Sequence, residues 1–387
     1  MLKRHVDVGR APGAVVVVAR HGEVRVEAAG HLAFEGDGSA TPMAGDTIFR
    51  TASWTKQIIA ACVMTLVEDG TLRLDDPVDA FLPELADMTV LADPNGPLDE
   101  IVPANRPTTL RDLLTYRLGT GTILAEPGAV PIADALTALE HGERPGDPVP
   151  SPDEWIRRVG ALPLAHQPGE RWMYNIAPIA LGVLIARSAG VPLGDALRER
   201  ICEPLGMKDT GLSVHAGSAR RLATAYTRDV ATDELVAESG PDGLWKQPPA
   251  FKAAGSGLVS TTDDFFAFAS ALLGGGVHRG RRILSPESVR LMTTDHLVPA
   301  QKAASTMVWT PVFQQDFGWG FGMAVNTRRM YLAPSVGSYG WYGKYGTAWF
   351  NDPAEDLTVI FMTQNTETFR TPVFNRVWVA VYQALDA

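Results

Sequence analysis

Ser53-Trp54-Thr55-Lys56 opens the stretch Gln57-Ile58-Ile59-Ala60-Ala61-Cys62-Val63-Met64-Thr65-Leu66-Val67-Glu68-Asp69-Gly70, around which the rest of the chain is arranged. From Gln57 the apolar residues Ile58, Ile59, Cys62, Val63, Leu66 and Val67 recur at helical spacing, which predicts a helix with one buried face. Nothing inside it breaks the period, and Gly70 is a natural stop. Ser53 then lies at or just before the first turn, with Lys56 three residues on and on the same face.

That spacing suits one chemistry. A serine hydroxyl is a poor nucleophile until a neighbouring base takes its proton. Lysine serves as that base when its pKa falls, and both burial and the positive end of a helix dipole disfavour the ammonium. The free N–H groups at a helix start also suit an oxyanion. The alternative is a serine that caps the helix beside a solvated lysine, because Ser-x-x-Lys fixes only two residues. Against it, this is the only Ser-x-x-Lys in the sequence, and it opens a strongly apolar helix.

The chain has 387 residues, 45% hydrophobic and 20% charged, enough for a large core and two lobes. A net charge of −10 with no basic cluster argues against nucleic-acid binding. Cys62 and Cys202 form no disulfide framework or metal spacing, and Cys62 reads as a small core residue. The eight histidines are scattered without a His-Glu-x-x-His, so His166 and His296 read as structural or surface residues and no metal or cofactor is expected. The N-terminal apolar run Ala14–Ala19 is too short and wrongly flanked for a signal sequence, and nothing reaches transmembrane length. The expectation is a cytoplasmic protein without membrane partners, its oligomeric state open.

Gly13–Ala19 reads as a buried strand and Val24–Ala29 as its hairpin partner. Helices are expected from Thr108, over Ile132–Glu140, from Ser151, over Pro178–Ala189, Leu193–Ile201 and Thr262–Leu273, and from Ser285. The Gly- and Pro-rich stretch from Gly119 to Pro152 reads as a long loop. Beyond Phe317 strands return, at Gly318–Val325, within Gly337–Phe350 and at Leu357–Thr363, before a last helix over Pro372–Leu385. Strands at both ends and helices between them imply one antiparallel sheet built from both termini, with a helical lobe inserted. The division expected is 1–75 with 305–387 for the sheet and 76–304 for the lobe, the site lying between.

Two further segments carry chemistry. Pro168-Gly-Glu-Arg-Trp172-Met-Tyr174-Asn175-Ile176 places a phenol on an irregular segment before a helix. Tyrosine relays protons when a cationic lysine lowers its pKa; the alternative is a half-buried structural Tyr. Gly337-Ser-Tyr-Gly-Trp341-Tyr342-Gly343-Lys344-Tyr345-Gly346 alternates glycines with aromatics in a strand, which signals close approach of a ligand or of another backbone.

In order and spacing these three segments resemble the serine β-lactamase and penicillin-binding-protein superfamily, and most closely its class C-like branch, the family VIII carboxylesterases. Leu74-Asp-Asp-Pro-Val, Pro168-Gly-Glu-Arg-Trp-x-Tyr174, Gly257-Leu-Val-Ser-Thr-Thr-Asp and Gly346-Thr-Ala-Trp-Phe-Asn-Asp-Pro353 extend the resemblance over nearly the whole chain. It implies an α+β, β-lactamase/transpeptidase-like fold. It also implies that Ser53 is the acylated nucleophile, Lys56 its base and Tyr174 the group that shares the proton and assists the leaving group. The backbone N–H groups of Ser53 and Lys344 would form the oxyanion hole.

The departures narrow the activity. Lactamases carry Tyr-x-Asn, whereas here Ile176 holds the third position and Asn175 sits one place early, pointing elsewhere. Their Lys/His-Thr/Ser-Gly is here Trp341-Tyr342-Gly343, which lacks groups suited to a β-lactam's amide and carboxylate, although Lys344 could restore a charge. The esterase branch carries such a Trp. The expectation is a carboxylesterase for small acyl or aryl esters, with Trp54, Trp172, Asn175, Trp341, Tyr342 and Gly343 as substrate contacts around an apolar pocket. Acyl transfer and amide hydrolysis of the β-lactamase or D-aminopeptidase type are the enzymatic alternatives, and a catalytically silent sensor the non-enzymatic one. An α/β-hydrolase is a poor fit, since no Gly-x-Ser-x-Gly occurs.

Overall fold

The computed structural model describes residues 2–141, 150–229, 231–239, 254–305, 317–329 and 334–385. One sheet dominates. Its strands are β1 (Gly13–Arg20), β2 (Glu23–Gly30), β3 (Phe317–Trp319), β4 (Ala324–Asn326), β5 (Tyr339–Gly343), β6 (Thr347–Asp352) and β7 (Leu357–Thr363). Their order is β3-β4-β5-β6-β7-β1-β2, and every neighbouring pair is antiparallel. The two ends of the chain therefore meet: β1 pairs with β7 from Ala14 opposite Thr363 to Arg20 opposite Leu357.

Alternation along the strands divides the interior in two. Val15 and Val17 of β1, Trp349 of β6 and Ile360 and Met362 of β7 face the main core. Ala14, Val16, Ala348, Phe350, Val359 and Phe361 face the other way, against a C-terminal helix that supplies Val373, Phe374, Val377 and Trp378. Five helices are used below: α1 (Leu2–Asp7), α2 (Thr55–Glu68), α3 (Ile176–Ala189), α4 (Thr262–Leu273) and α5 (Val373–Leu385). On the main-core side α4 lies on the sheet, where the Asn351 amide donates to the Ala269 carbonyl at 2.7 Å.

The helix that begins at Thr55 is more deeply placed than its periodicity suggests. Every residue from Thr55 to Leu66 is buried, polar ones included, so α2 has no solvent face along that length. Its apolar residues share one core with those of α3 and α4, and that sheltered position is what a helix apolar on nearly all sides requires.

The Gly318–Val325 strand is in fact two, β3 and β4, separated by a turn in which Gly322 has φ +73°. A Cβ on Gly322 would lie 2.8 Å from the Lys56 carbonyl, so a side chain there would collide with α2. The helix expected over Leu193–Ile201 holds its α form only to Leu197, then widens into a π turn over Arg198–Cys202. Of the Gly119–Pro152 stretch, residues 131–141 form a helix and 142–149 lie outside the described residues. Among the described residues no single helix is long and apolar enough to cross a membrane.

Candidate active site

Ser53 stands in a one-turn 3₁₀ segment, Ala52–Trp54, that leads directly into α2. Ala52 takes φ +47°, a conformation few non-glycine residues adopt, and no side chain caps the helix start. The turn is tied from outside instead. Thr51 donates both its N–H (3.0 Å) and its hydroxyl (2.9 Å) to the Leu258 carbonyl, while the Leu258 N–H donates to Thr55 Oγ1 at 3.0 Å. Just before it, Arg50 is fully buried; its guanidinium donates to the Ala223 carbonyl at 2.7 Å, and its N–H donates to Gln364 at 3.0 Å. The hydroxyl is thus presented by a strained turn clamped on both flanks.

Lys56, only 1% exposed, brings Nζ 3.0 Å from Ser53 Oγ and donates to the Gly255 carbonyl at 2.6 Å. The same nitrogen sits 4.4 Å from the centre of the Tyr174 ring. Tyr174 shares a hydrogen bond with Ser53, and its oxygen accepts a second from the Trp341 indole N–H at 2.7 Å. Hydroxyl, amine and phenol, 121 residues apart at the extremes, therefore meet at one point (Ser53 to Tyr174).

Local backbone holds the phenol there. Asn175 has φ +78° and ψ −49°, and the Ile176 N–H donates back to the Tyr174 carbonyl at 3.3 Å, which makes a γ-turn of the rare positive-φ kind. The same carbonyl accepts from the Thr122 N–H at 2.8 Å, and the Asn175 amide donates to the Thr122 hydroxyl at 3.1 Å. Asn is a residue that tolerates positive φ, so its place beside Tyr174 has a backbone reason.

The expected effect of lysine on the phenol is not what the surroundings produce. Burial pushes the Tyr174 phenol above its ordinary value, and the hydrogen bonds from Ser53 and Trp341 offset this only in part. The cause is a nest of buried rings. Trp172 stacks on Tyr174 at 5.6 Å between centroids, Trp341 lies at 5.9 Å and Tyr116 at 6.0 Å, and Trp319 meets Trp341 edge-on at 4.8 Å. That setting favours the neutral phenol over the phenolate.

Several expected substrate contacts are buried in the framework around the site. Trp54 is 0% exposed: its ring packs 4.1 Å from that of Phe265 and its N–H donates to the Trp341 carbonyl at 3.0 Å. Trp172 and Trp341 are also buried, within the aromatic nest. Tyr342 alternates to the opposite face of β5, where its ring meets Phe374 at 5.1 Å and Phe350 at 5.5 Å, with the sheet between it and Ser53. Period-two alternation puts neighbouring strand residues on opposite faces, so Trp341 and Tyr342 cannot both face one pocket. Gly343 acts through what it lacks: a Cβ there would lie 2.4 Å from the Thr51 carbonyl oxygen. Asn175 keeps a partly exposed side chain.

Lys344 follows in the turn after β5, its side chain 65% exposed and Nζ 3.9 Å from Glu238, so its charge lies at the surface. Among the described residues neither the Ser53 nor the Lys344 backbone N–H donates to another backbone carbonyl. Sequence reasoning missed Gly255, Tyr116 and Trp319 as neighbours of the site. Gly255 belongs to the segment that leads into Gly257-Leu-Val-Ser, a signal that was present. The two aromatics carried none.

The fold and the comparisons below make this a serine hydrolase of the β-lactamase superfamily. The sequence matches the Beta-lactamase family over residues 1–382, and the chain belongs to that family. It is 39% identical over 365 residues to Protein Rv1367c of Mycobacterium tuberculosis, covering 93% of this chain and 87% of that one. It is 31% identical over 373 residues to Esterase EstB of Burkholderia gladioli, covering 92% and 86%. Among solved structures, EstCE1, described as a hydrolase with promiscuous acyltransferase activity, superposes with a TM-score of 0.79 at 26% identity, over 98% of this chain and 96% of the other.

Proposed function

We propose that the protein is a carboxylesterase that works through an acyl-enzyme on Ser53. The observation that carries this reading is the position of Lys56 Nζ, buried, 3.0 Å from Ser53 Oγ and 2.6 Å from the Gly255 carbonyl. An uncharged amine held there donates one N–H to Gly255 and offers its lone pair to the serine proton. Burial favours that uncharged form.

In the proposed cycle Ser53 Oγ attacks the ester carbonyl as its proton passes to Lys56. The backbone N–H groups of Ser53 and Lys344 receive the developing oxyanion. The C–OR bond then breaks, and the alcohol leaves with a proton delivered through Tyr174, which Lys56 replenishes. Water, deprotonated by the same pair, attacks the acyl carbon and releases the acid and the serine. Tyr174 suits the relay because its hydroxyl is hydrogen-bonded to Ser53, Lys56 Nζ lies over its ring 4.4 Å from the centre, and burial favours the neutral phenol. Small acyl or aryl esters are the substrate class, since Trp341 stands where lactam-binding relatives have Lys and brings no charge to hold a lactam carboxylate. The esterase names among the relatives support the same choice.

Acyl transfer differs only in the acceptor, and the transferase activity in the description of EstCE1 favours keeping it as a second reading. A panel of p-nitrophenyl esters of graded chain length, D-amino acid amides and nitrocefin, each with and without an acceptor alcohol, tests both. Ester turnover lost in Ser53→Ala supports the proposal; retained turnover, or amide hydrolysis as the dominant activity, contradicts it.

A further inference from the structure

Behind the sheet, on the side away from Ser53, lies a cavity of about 450 Å³ lined by Arg4, His5, Val8, Arg10, Val373 and Arg376. It forms where α1 and the chain just after it meet the first turn of α5. Three guanidinium groups and no carboxylate line it, in a protein whose net charge is −10. Several arginines of this chain have acid partners, Arg187 with Glu84 and Asp153, Arg111 with Asp75 and Arg221 with Asp209, and others stand singly at the surface. Among the described residues Arg4, Arg10 and Arg376 have none.

Two independent features favour an anion at this place. The first is His5, 7% exposed, whose Nε2 is buried and lacks a hydrogen-bond partner among the described residues. Its imidazole is held down to about 4 by burial and then by Arg10 and Arg376, which places both guanidinium groups within electrostatic reach of the ring. The second is α5 itself, a helix of 13 residues with no acidic side chain in its first turn. Its unneutralised N-terminal N–H groups and dipole add positive potential beside Val373 and Arg376. Like charges gathered without counter-charge repel one another, and an anion removes that cost.

We propose that this cavity is a binding site for a phosphate group, free or carried as a monoester. Guanidinium groups match phosphate oxygens in bidentate fashion, and three of them suit a dianion better than a single carboxylate. Val8 and Val373 offer a small apolar wall for the organic part of a monoester. The site is separate from the ester chemistry, because the sheet stands between them.

Isothermal titration of the full chain with inorganic phosphate and with phenyl phosphate, at constant ionic strength in excess chloride, tests this. The expected result is saturable one-to-one binding, weakened about tenfold or more in Arg10→Gln and in Arg376→Gln, with ester turnover unchanged. Tighter binding of phenyl phosphate identifies the monoester as the preferred form, and equal binding identifies the dianion alone. No saturable heat with either compound up to about 10 mM, or binding unaltered in both variants, overturns the proposal. Arg20→Gln, at a surface pair far from the cavity, is the control, and an equal loss of binding there also overturns it.

Discussion

The indole N–H of Trp341 donates to the phenolic oxygen of Tyr174 at 2.7 Å, and the carbonyl of Trp341 in turn accepts from the indole of Trp54 at 3.0 Å. Trp54 adjoins Ser53 in sequence, so one chain of hydrogen bonds runs from the turn of the proposed nucleophile through β5 to the proposed proton relay. Trp341 is itself buried, and its indole N–H holds the Tyr174 hydroxyl. Trp341→Phe keeps an aromatic ring, smaller than the indole, and deletes the donor. Its kcat for a p-nitrophenyl ester is expected to fall about 10- to 100-fold with KM little changed. The double variant with Tyr174→Phe is expected to be no worse than Tyr174→Phe alone, since the two act as one unit. Steady-state kinetics on the three variants checks it; additive losses would show that Trp341 acts elsewhere.

Gly343→Ala asks whether β5 must touch the nucleophile's turn. The added methyl would meet the Thr51 carbonyl oxygen at 2.4 Å and the Thr347 hydroxyl at 2.1 Å, both buried. Strand and turn must separate, and a displacement of about 1 Å at a catalytic group costs on the order of 100-fold in rate. Overpacking of this kind also costs roughly 1–3 kcal/mol of stability. Turnover and a denaturant midpoint measured together check both parts.

At Asn175 the backbone and the side chain are separable. Both Asn175→Ala and Asn175→Gly lose the hydrogen bond to Thr122, but only glycine accepts φ +78° without strain. Alanine is therefore expected to be less stable than glycine by about 1 kcal/mol and to lose more activity, because the γ-turn sets the Tyr174 carbonyl. Thermal unfolding of the pair decides it; equal values would mean the turn relaxes freely.

How far the sequence reached depended on whether one residue's period carried the information. The strand Leu357–Thr363 and the helix Thr262–Leu273 stand where their apolar runs place them, because period and length suffice for elements buried on one or both faces. The convergence of Ser53, Lys56 and Tyr174 rested on motif order. What the motifs could not convey was which aromatics face the site. Trp54 and Trp172 are as apolar as any pocket wall, and only the packing shows that they are buried supports. Tyr342 was legible in principle from alternation with Trp341. The γ-turn at Asn175 was not, since a single Asn before a helix reads first as a cap, and here its side chain caps nothing.

Asp264 supplies a pH dependence of stability apart from the chemistry. Its carboxyl is raised from 3.8 to about 6, first by burial, against the hydrogen bonds it accepts from the Asp209 N–H and the Thr210 hydroxyl. Between those two values the folded state holds a proton that the unfolded state has lost, so stability falls as pH rises through that window and is level above it. The contribution is of order 3 kcal/mol. Asp264→Asn is expected to remove this slope, so that wild type and variant differ most in their pH trend between about 4 and 6. Denaturant melts across that range check the sign; a variant whose curve parallels wild type would refute it.

The acyl-enzyme is the centre of the account, and intact-mass spectrometry during turnover of a slow aryl ester, or after a fluorophosphonate, tests it most directly. The account predicts a single adduct that maps to Ser53, absent in Ser53→Ala and formed far more slowly in Lys56→Ala. Turnover with Ser53 unmodified, or an adduct that maps to any other residue, would contradict it.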